Sequence, residues 1–207
     1  MKFFFKDQSE SLRRFWQDAY RHEVGKTVFV GLVLLLCGYA VTMAKPELAD
    51  RYIDFFVNTV ALEDLVQLSG FSLMWEILLN NLSAAFTAVL WGAIPFLYLP
   101  TFSLALNFFL VGVMGAYSMQ KGLSLGFYLI GILPHGIFEF PALIFACAAG
   151  LTLCRSITNR MRRREDMIIP DAITGCVSVY WLLLLPLLIL AALVEVFITP
   201  TLLGFAM

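Results

Sequence analysis

Residues 122–154 read GLSLGFYLIGILPHGIFEFPALIFACAAGLTLC, 33 residues in which Glu139 is the one Asp, Glu, Lys or Arg. About 20 apolar residues suffice to cross ~30 Å of hydrocarbon. The stretch is therefore too long for a simple crossing and marginal for two. Pro134-His135-Gly136 and Pro141 interrupt it. A proline inside a helix removes one N–H and crowds the preceding turn. The spacing predicts a broken helix, or a re-entrant hairpin followed by a full crossing, with Pro134, Gly136 and Pro141 at the break. Irregular backbone at that depth needs cover from protein or a wet cavity. The fold class implied is all-α, a polytopic integral membrane helix bundle.

Working outward, the apolar runs predict about five transmembrane spans. The first is Thr27–Ala44, ended by Lys45-Pro46-Glu47. The second is Ile77–Leu99, closed by Pro100, and the third Thr101–Met119, so the two form a tight hairpin. The 122–154 stretch is the fourth. The last is Ile173–Thr199, with Pro186 as a kink. Composition agrees, with 60% hydrophobic and 14% charged residues and a mean hydropathy of +0.84, against about a quarter charged in soluble domains.

Sidedness follows from Lys and Arg. Segment 1–26 holds six of the 14, at positions 2, 6, 13, 14, 21 and 26, and loop 155–172 holds five, Arg155, Arg160, Arg162, Arg163 and Arg164. The remaining three, Lys45, Arg51 and Lys121, lie in the other connections. Five spans with a cytoplasmic N-terminus put both rich segments inside and the other three residues outside. Two crossings within 122–154 would break that pattern. The organisation expected is a cytoplasmic amphipathic surface segment, 1–26, with Phe15, Trp16, Tyr20 and Val24 at helical spacing, and a single transmembrane domain, 27–207. That domain includes an extracytoplasmic amphipathic segment, 46–76, broken near Ser69-Gly70, and the basic loop. Segment 46–76 interleaves Glu47, Asp50, Asp54, Glu63, Asp64 and Glu76 with apolar positions. It reads as a packing cap or as a docking surface for an extracytoplasmic partner.

Polar residues inside the spans are costly and need partners. They are Asn80, Asn81, Asn107, His135, Glu139 and Glu195. His135 and Glu139 lie one helical turn apart. They and the three asparagines form the candidate polar site, read either as a buried structural network or as a proton, ion or lipid-headgroup site. A helix starting near Pro134 would also offer free N–H groups to an anionic headgroup. Glu195, near the outer end of the last span, is read as reaching the interface. No metal site and no cofactor are expected, because His135 and Glu139 are two ligands where zinc takes three or four protein ligands, and the other histidine, His22, is in the N-terminal segment. Cys37, Cys147, Cys154 and Cys176 have no CxxC spacing and read as small apolar residues. Ala84, Ala88 and Gly92, and Ala142, Ala146 and Gly150, mark faces for close helix contact, within the chain or in a homo-oligomer. No HExxH, GxSxG, Walker A or GxGxxG occurs, so no enzyme is expected, and no nucleic-acid partner.

The segment from Leu133 to Leu151 resembles the stage II sporulation protein M family, bacterial and archaeal membrane proteins with a Pro-His-Gly-x-x-Glu core. Pro134, His135, Gly136, Glu139, Pro141, Ala142 and Gly150 fit its pattern. Asn80-Asn81-Leu-Ser-Ala-Ala-Phe resembles the family's upstream Asn-Asn pair, and Asn107 with Gly112 and Gly115 its third span. The resemblance covers about 80–155. The family usually has Gly after the third-span Asn, where this chain has Phe108. What the resemblance implies is a membrane protein of the cytoplasmic (inner) membrane without catalytic activity of its own. In spore formers the named member acts with stage II sporulation proteins D and P, which degrade cell wall. The function expected is a non-enzymatic scaffold or anchor for envelope-remodelling partners, cell-wall hydrolases among them, in contact with membrane lipids. The alternative is a small transporter, channel or lipid flippase using His135 and Glu139.

Overall fold

The structure, a computed structural model, describes residues 2–47, 50–51, 69–164 and 168–206, for residues 2–5 and 206 the backbone alone. Most of the expected acidic segment 46–76 lies outside these residues, Asp54, Glu63 and Asp64 included. The described residues form helices and the turns between them, with no strand. α1 (Lys2–Phe15) runs through one widened π turn at Trp16–Tyr20 into α2 (Arg21–Ala44). Then come α3 (Gly70–Trp91), α4 (Pro100–Gln120), α5 (Leu125–Met161), α6 (Ile169–Val179), a second π turn at Tyr180–Leu184, α7 (Leu185–Phe197) and α8 (Thr199–Ala206). Five helical stretches are long and apolar enough to cross a bilayer, 6–44, α3, α4, α5 and 169–205. Each turns large apolar side chains outward, such as Phe29 (68% exposed) and Phe102 (55%), with Leu36, Phe86, Ile137 and Trp181. Water-soluble proteins avoid such contiguous apolar surface. It is the pattern of a membrane protein.

The expected break in the fourth stretch is absent. α5 is one 37-residue helix with Pro134 and Pro141 inside it. Its start is set by turn chemistry ten residues before His135. Gly122, at φ 88°, takes the left-handed position that ends α4. The Leu123 N–H donates to the Ser118 carbonyl and the Gly122 N–H to that of Met119, a Schellman closure. The Ser124 hydroxyl then caps α5 by accepting from the Phe127 N–H at 3.1 Å. With ~1.5 Å per residue the helix is ~55 Å long, more than the ~30 Å of a bilayer's hydrocarbon core. A proline within a membrane helix is tolerated where neighbours absorb the lost hydrogen bond, and α5 touches α2, α3, α4, α6, α7 and α8. The anion-binding role expected of a helix start at Pro134 lapses, because the helix start is at Leu125.

Pro186 is handled by the other route. The Leu185 N–H reaches back five residues to the Tyr180 carbonyl, and the π turn so formed lets the helix pass the proline.

The core gathers around α5, where Ala142, Ala146, Cys147, Ala148 and Ala149 are fully buried. The small-residue faces pack on each other inside the chain. A Cβ on Gly92 would meet the Gly150 carbonyl, and one on Gly150 the carbonyl of Ala88. The α3 face is Ala85, Ala88 and Gly92; Ala84 points outward. α2 and α4 approach as closely. A Cβ on Gly38 would strike the Phe109 carbonyl, and one on Gly112 that of Leu35. Phe108 supplies no such approach; its ring fills the space beside Gly31.

The amphipathic segment 1–26 does not stand apart from the bundle. Phe15 and Tyr20 are buried in the core, the Tyr20 hydroxyl donates to the Phe145 carbonyl at 3.0 Å, and α1 lies along α6, with Ser178 donating to Gln8 at 2.7 Å. Glu23, also buried, accepts from Lys26 and Arg155, each at 2.9 Å. The 92–99 connection sits at this same end, where the Phe96 N–H donates to Thr158 at 3.0 Å and Arg162 stacks over the Phe96 ring. At the other end Lys121 pairs with Asp50 at 3.4 Å. Cys147, Cys154 and Cys176 are buried, Cys37 is exposed, and all four are free thiols.

Candidate functional site

α5 carries His135 and Glu139 on one face, one turn apart, about 15 Å from its N-terminal end at ~1.5 Å per residue. α7 packs against this part of the bundle and brings Glu195, two residues before its last residue, Phe197. One ligand atom from each of the three side chains lies within 4.8 Å of the other two, and all three residues are half-buried. The Nδ1 atom of His135 is buried with no hydrogen-bond partner. Among the described residues the ion pairs are Glu23 with Lys26 and Arg155, and Lys121 with Asp50. None of these cations serves Glu139 or Glu195. Two carboxylates and an imidazole therefore converge within two apolar helices, with no Lys or Arg paired to them among the described residues. Polar groups there are rare and normally paired.

Among the described residues no hydrogen bond joins the asparagines to His135 or Glu139. The Asn107 amide donates to the Ser103 carbonyl of its own helix at 2.9 Å and is exposed. Asn80 is exposed and Asn81 half-buried. Pro134 and Pro141 are half-buried and Gly136 is buried, all within continuous helix. The residue that sequence reasoning placed elsewhere is Glu195, which joins the cluster and does not simply reach the interface. The signal was present. Between Asp171 and Glu195 the chain has no other Asp, Glu, Lys or Arg, and an isolated ionisable residue in such a run asks for a partner.

The arrangement offers one nitrogen and two oxygen ligands, enough with added water for a divalent cation, or a short path for proton exchange between carboxylates and imidazole.

Comparisons with known proteins bear on the whole chain. The model of the family described as stage II sporulation protein M matches residues 27–200. Among curated proteins, an uncharacterized protein of Methanocaldococcus jannaschii is similar, 33% identical over 127 residues, which cover 60% of this chain and 70% of that protein. No solved structure matches. The family match takes in α3 to α7, with His135, Glu139 and Glu195 inside it, and the chain belongs to the stage II sporulation protein M family.

Proposed function

We propose that this chain is a non-enzymatic scaffold of the cytoplasmic membrane, crossing it five times with its N-terminus inside and anchoring envelope-remodelling proteins on the outer side. The observation that carries this reading is the backbone-to-backbone closure of α2 on α4 and of α3 on α5 at Gly38, Gly112, Gly92 and Gly150. Helices seated this closely form a fixed platform. Alternating access needs one bundle to rock against another, and each of these contacts resists sliding. The topology draws support from the two ends of the bundle. Glu23–Arg155 and Phe96–Thr158 share one end with the basic segments, and Lys121–Asp50 marks the other, as five crossings and the positive-inside rule require. The small-residue faces are used within the chain, so they give no reason to expect a homo-oligomer.

The test is cross-linking in cells from photoreactive residues placed at the exposed positions Glu47 and Asp50. The expected result is a discrete adduct with an extracytoplasmic cell-wall hydrolase. Adducts with lipid alone would sink the scaffold. One observation favours a second reading. In the cluster of His135, Glu139 and Glu195 the buried Nδ1 has no hydrogen-bond partner and neither carboxylate has an ion pair among the described residues, which suits proton- or ion-linked transport. That reading requires flux in proteoliposomes that disappears in folded Glu139→Gln.

A further inference from the structure

We propose that His135, Glu139 and Glu195 bind one divalent first-row transition-metal ion, zinc by preference, which staples α5 to α7 within the membrane. The ligand set argues first. An imidazole nitrogen with two carboxylates suits Zn²⁺ and its first-row neighbours. Ca²⁺ takes six to eight oxygen ligands and Mg²⁺ a near-ideal octahedron of oxygens, neither of which a histidine-centred trio supplies. Geometry argues second. Ligand atoms around a tetrahedral zinc with ~2.0 Å bonds stand ~3.3 Å apart. The three atoms here lie within 4.8 Å of one another, so rotamer shifts of about an ångström bring them into contact with a shared ion. The i, i+4 spacing on α5 supplies two ligands from one rigid face, and α7 closes the third side.

Charge argues third. Two carboxyl groups stand together here, with no Lys or Arg paired to them among the described residues. A divalent cation neutralises them, and a water completes the coordination as in sites with three protein ligands. The buried Nδ1 of His135, which has no hydrogen-bond partner, is fourth. Buried polar atoms in folded proteins are nearly always satisfied, and an imidazole turned so that Nδ1 faces Glu139 and Glu195 gains in a metal ion the partner it lacks. The pairing of residues 56 positions apart in sequence also explains why two ligands on one turn did not announce a site.

The experiment uses the full chain in nanodiscs, purified on a streptavidin-affinity tag so that no polyhistidine contributes metal. Zinc content is measured by mass spectrometry after gel filtration, and Co²⁺ is titrated as a spectroscopic probe. The expected result is a single zinc ion per chain and visible Co²⁺ bands of low-symmetry coordination. Affinity should fall at least ~100-fold in His135→Ala and in Glu195→Gln, while His22→Ala keeps it. A wild-type protein that retains no zinc and shows no Co²⁺ bands overturns the proposal. So does binding that survives in both ligand variants. The wild-type measurement decides even if a variant fails to fold. Neither arm depends on whether the chain has an extracytoplasmic partner.

Discussion

Between α2 and α4, Gly38 and Gly112 let each helix rest against the other's backbone, at the Phe109 and Leu35 carbonyls. Between α5 and α7 the contact includes His135, Glu139 and Glu195, three ionisable side chains facing one another. The first interface is closed by shape. Lipid tails are as apolar as leucine, so close packing is what holds such helices together. The second contains groups that shape alone leaves unsatisfied. One bundle thus holds an interface complete in itself and another that asks for something further, and the two should respond to substitution in opposite ways.

The largest effect belongs to the interface closed by shape. Gly112→Leu forces a side chain into the space of the Leu35 carbonyl, and α2 must part from α4 along its length. A loss of about 3 kcal/mol or more is expected, since overpacking against backbone cannot relax by a rotamer change. Unfolding of the reconstituted protein by SDS titration measures it. Stability within ~1 kcal/mol of wild type would mean the helices are not in backbone contact.

Next comes Arg155→Leu. Arg155 bridges α5 to α2 through Glu23, whose side chain is 9% exposed against 43% for the arginine. Removing one partner of a buried pair leaves the other uncompensated, at 3–5 kcal/mol in full burial. The half-exposed arginine and the remaining Lys26 reduce this to about 1–2 kcal/mol. Adding Glu23→Leu to the variant should recover most of the loss, because the stranded charge is gone. Failure of the double variant to recover would assign the loss to the arginine's other contacts.

How much of this was legible follows the same division. The small-residue faces were readable, because close packing leaves periodic, local signals. Gly92 and Gly150 were singled out from spacing alone, and they meet. Helix continuity through Pro134 and Pro141 was not readable, because the neighbours that support a proline helix come from other parts of the chain. The start of α5 was misplaced although Gly122 and Ser124 carry the turn chemistry for it, since the prolines are the louder signal. The cluster was half visible. His135 and Glu139 share a turn, but Glu195 arrives by tertiary packing, and no period links residue 139 to residue 195.

The polar interface should behave in reverse. In protein stripped by a chelator, Glu195→Gln takes one carboxyl group out of a close pair that has no Lys or Arg beside it among the described residues. An increase of about 1 kcal/mol is expected, since adjacent carboxylates disfavour each other's ionised form. With zinc present the sign inverts, because the variant loses a ligand and with it the linkage stabilisation from the bound ion. The paired SDS titrations, with chelator and with zinc, read this crossing directly. The same sign under both conditions would place Glu195 with the structural residues.

The smallest effect lies outside both interfaces and calibrates them. Arg163 ends α5 at φ 56°, the left-handed position that Gly122 fills at the end of α4. The Arg164 N–H closes on the Asn159 carbonyl and the Arg163 N–H on that of Arg160, so the cap has the same Schellman pattern. A residue with a Cβ is strained there by roughly 1–2 kcal/mol, and glycine gives part of that back through the greater freedom of its unfolded chain. Arg163→Gly should therefore stabilise by about 0.5 kcal/mol, the same with chelator as with zinc. Because the position touches neither Gly112 nor Glu195, any zinc dependence at Arg163 would show that the unfolding measurement itself responds to metal, and would remove the inversion at Glu195 as support for the cluster.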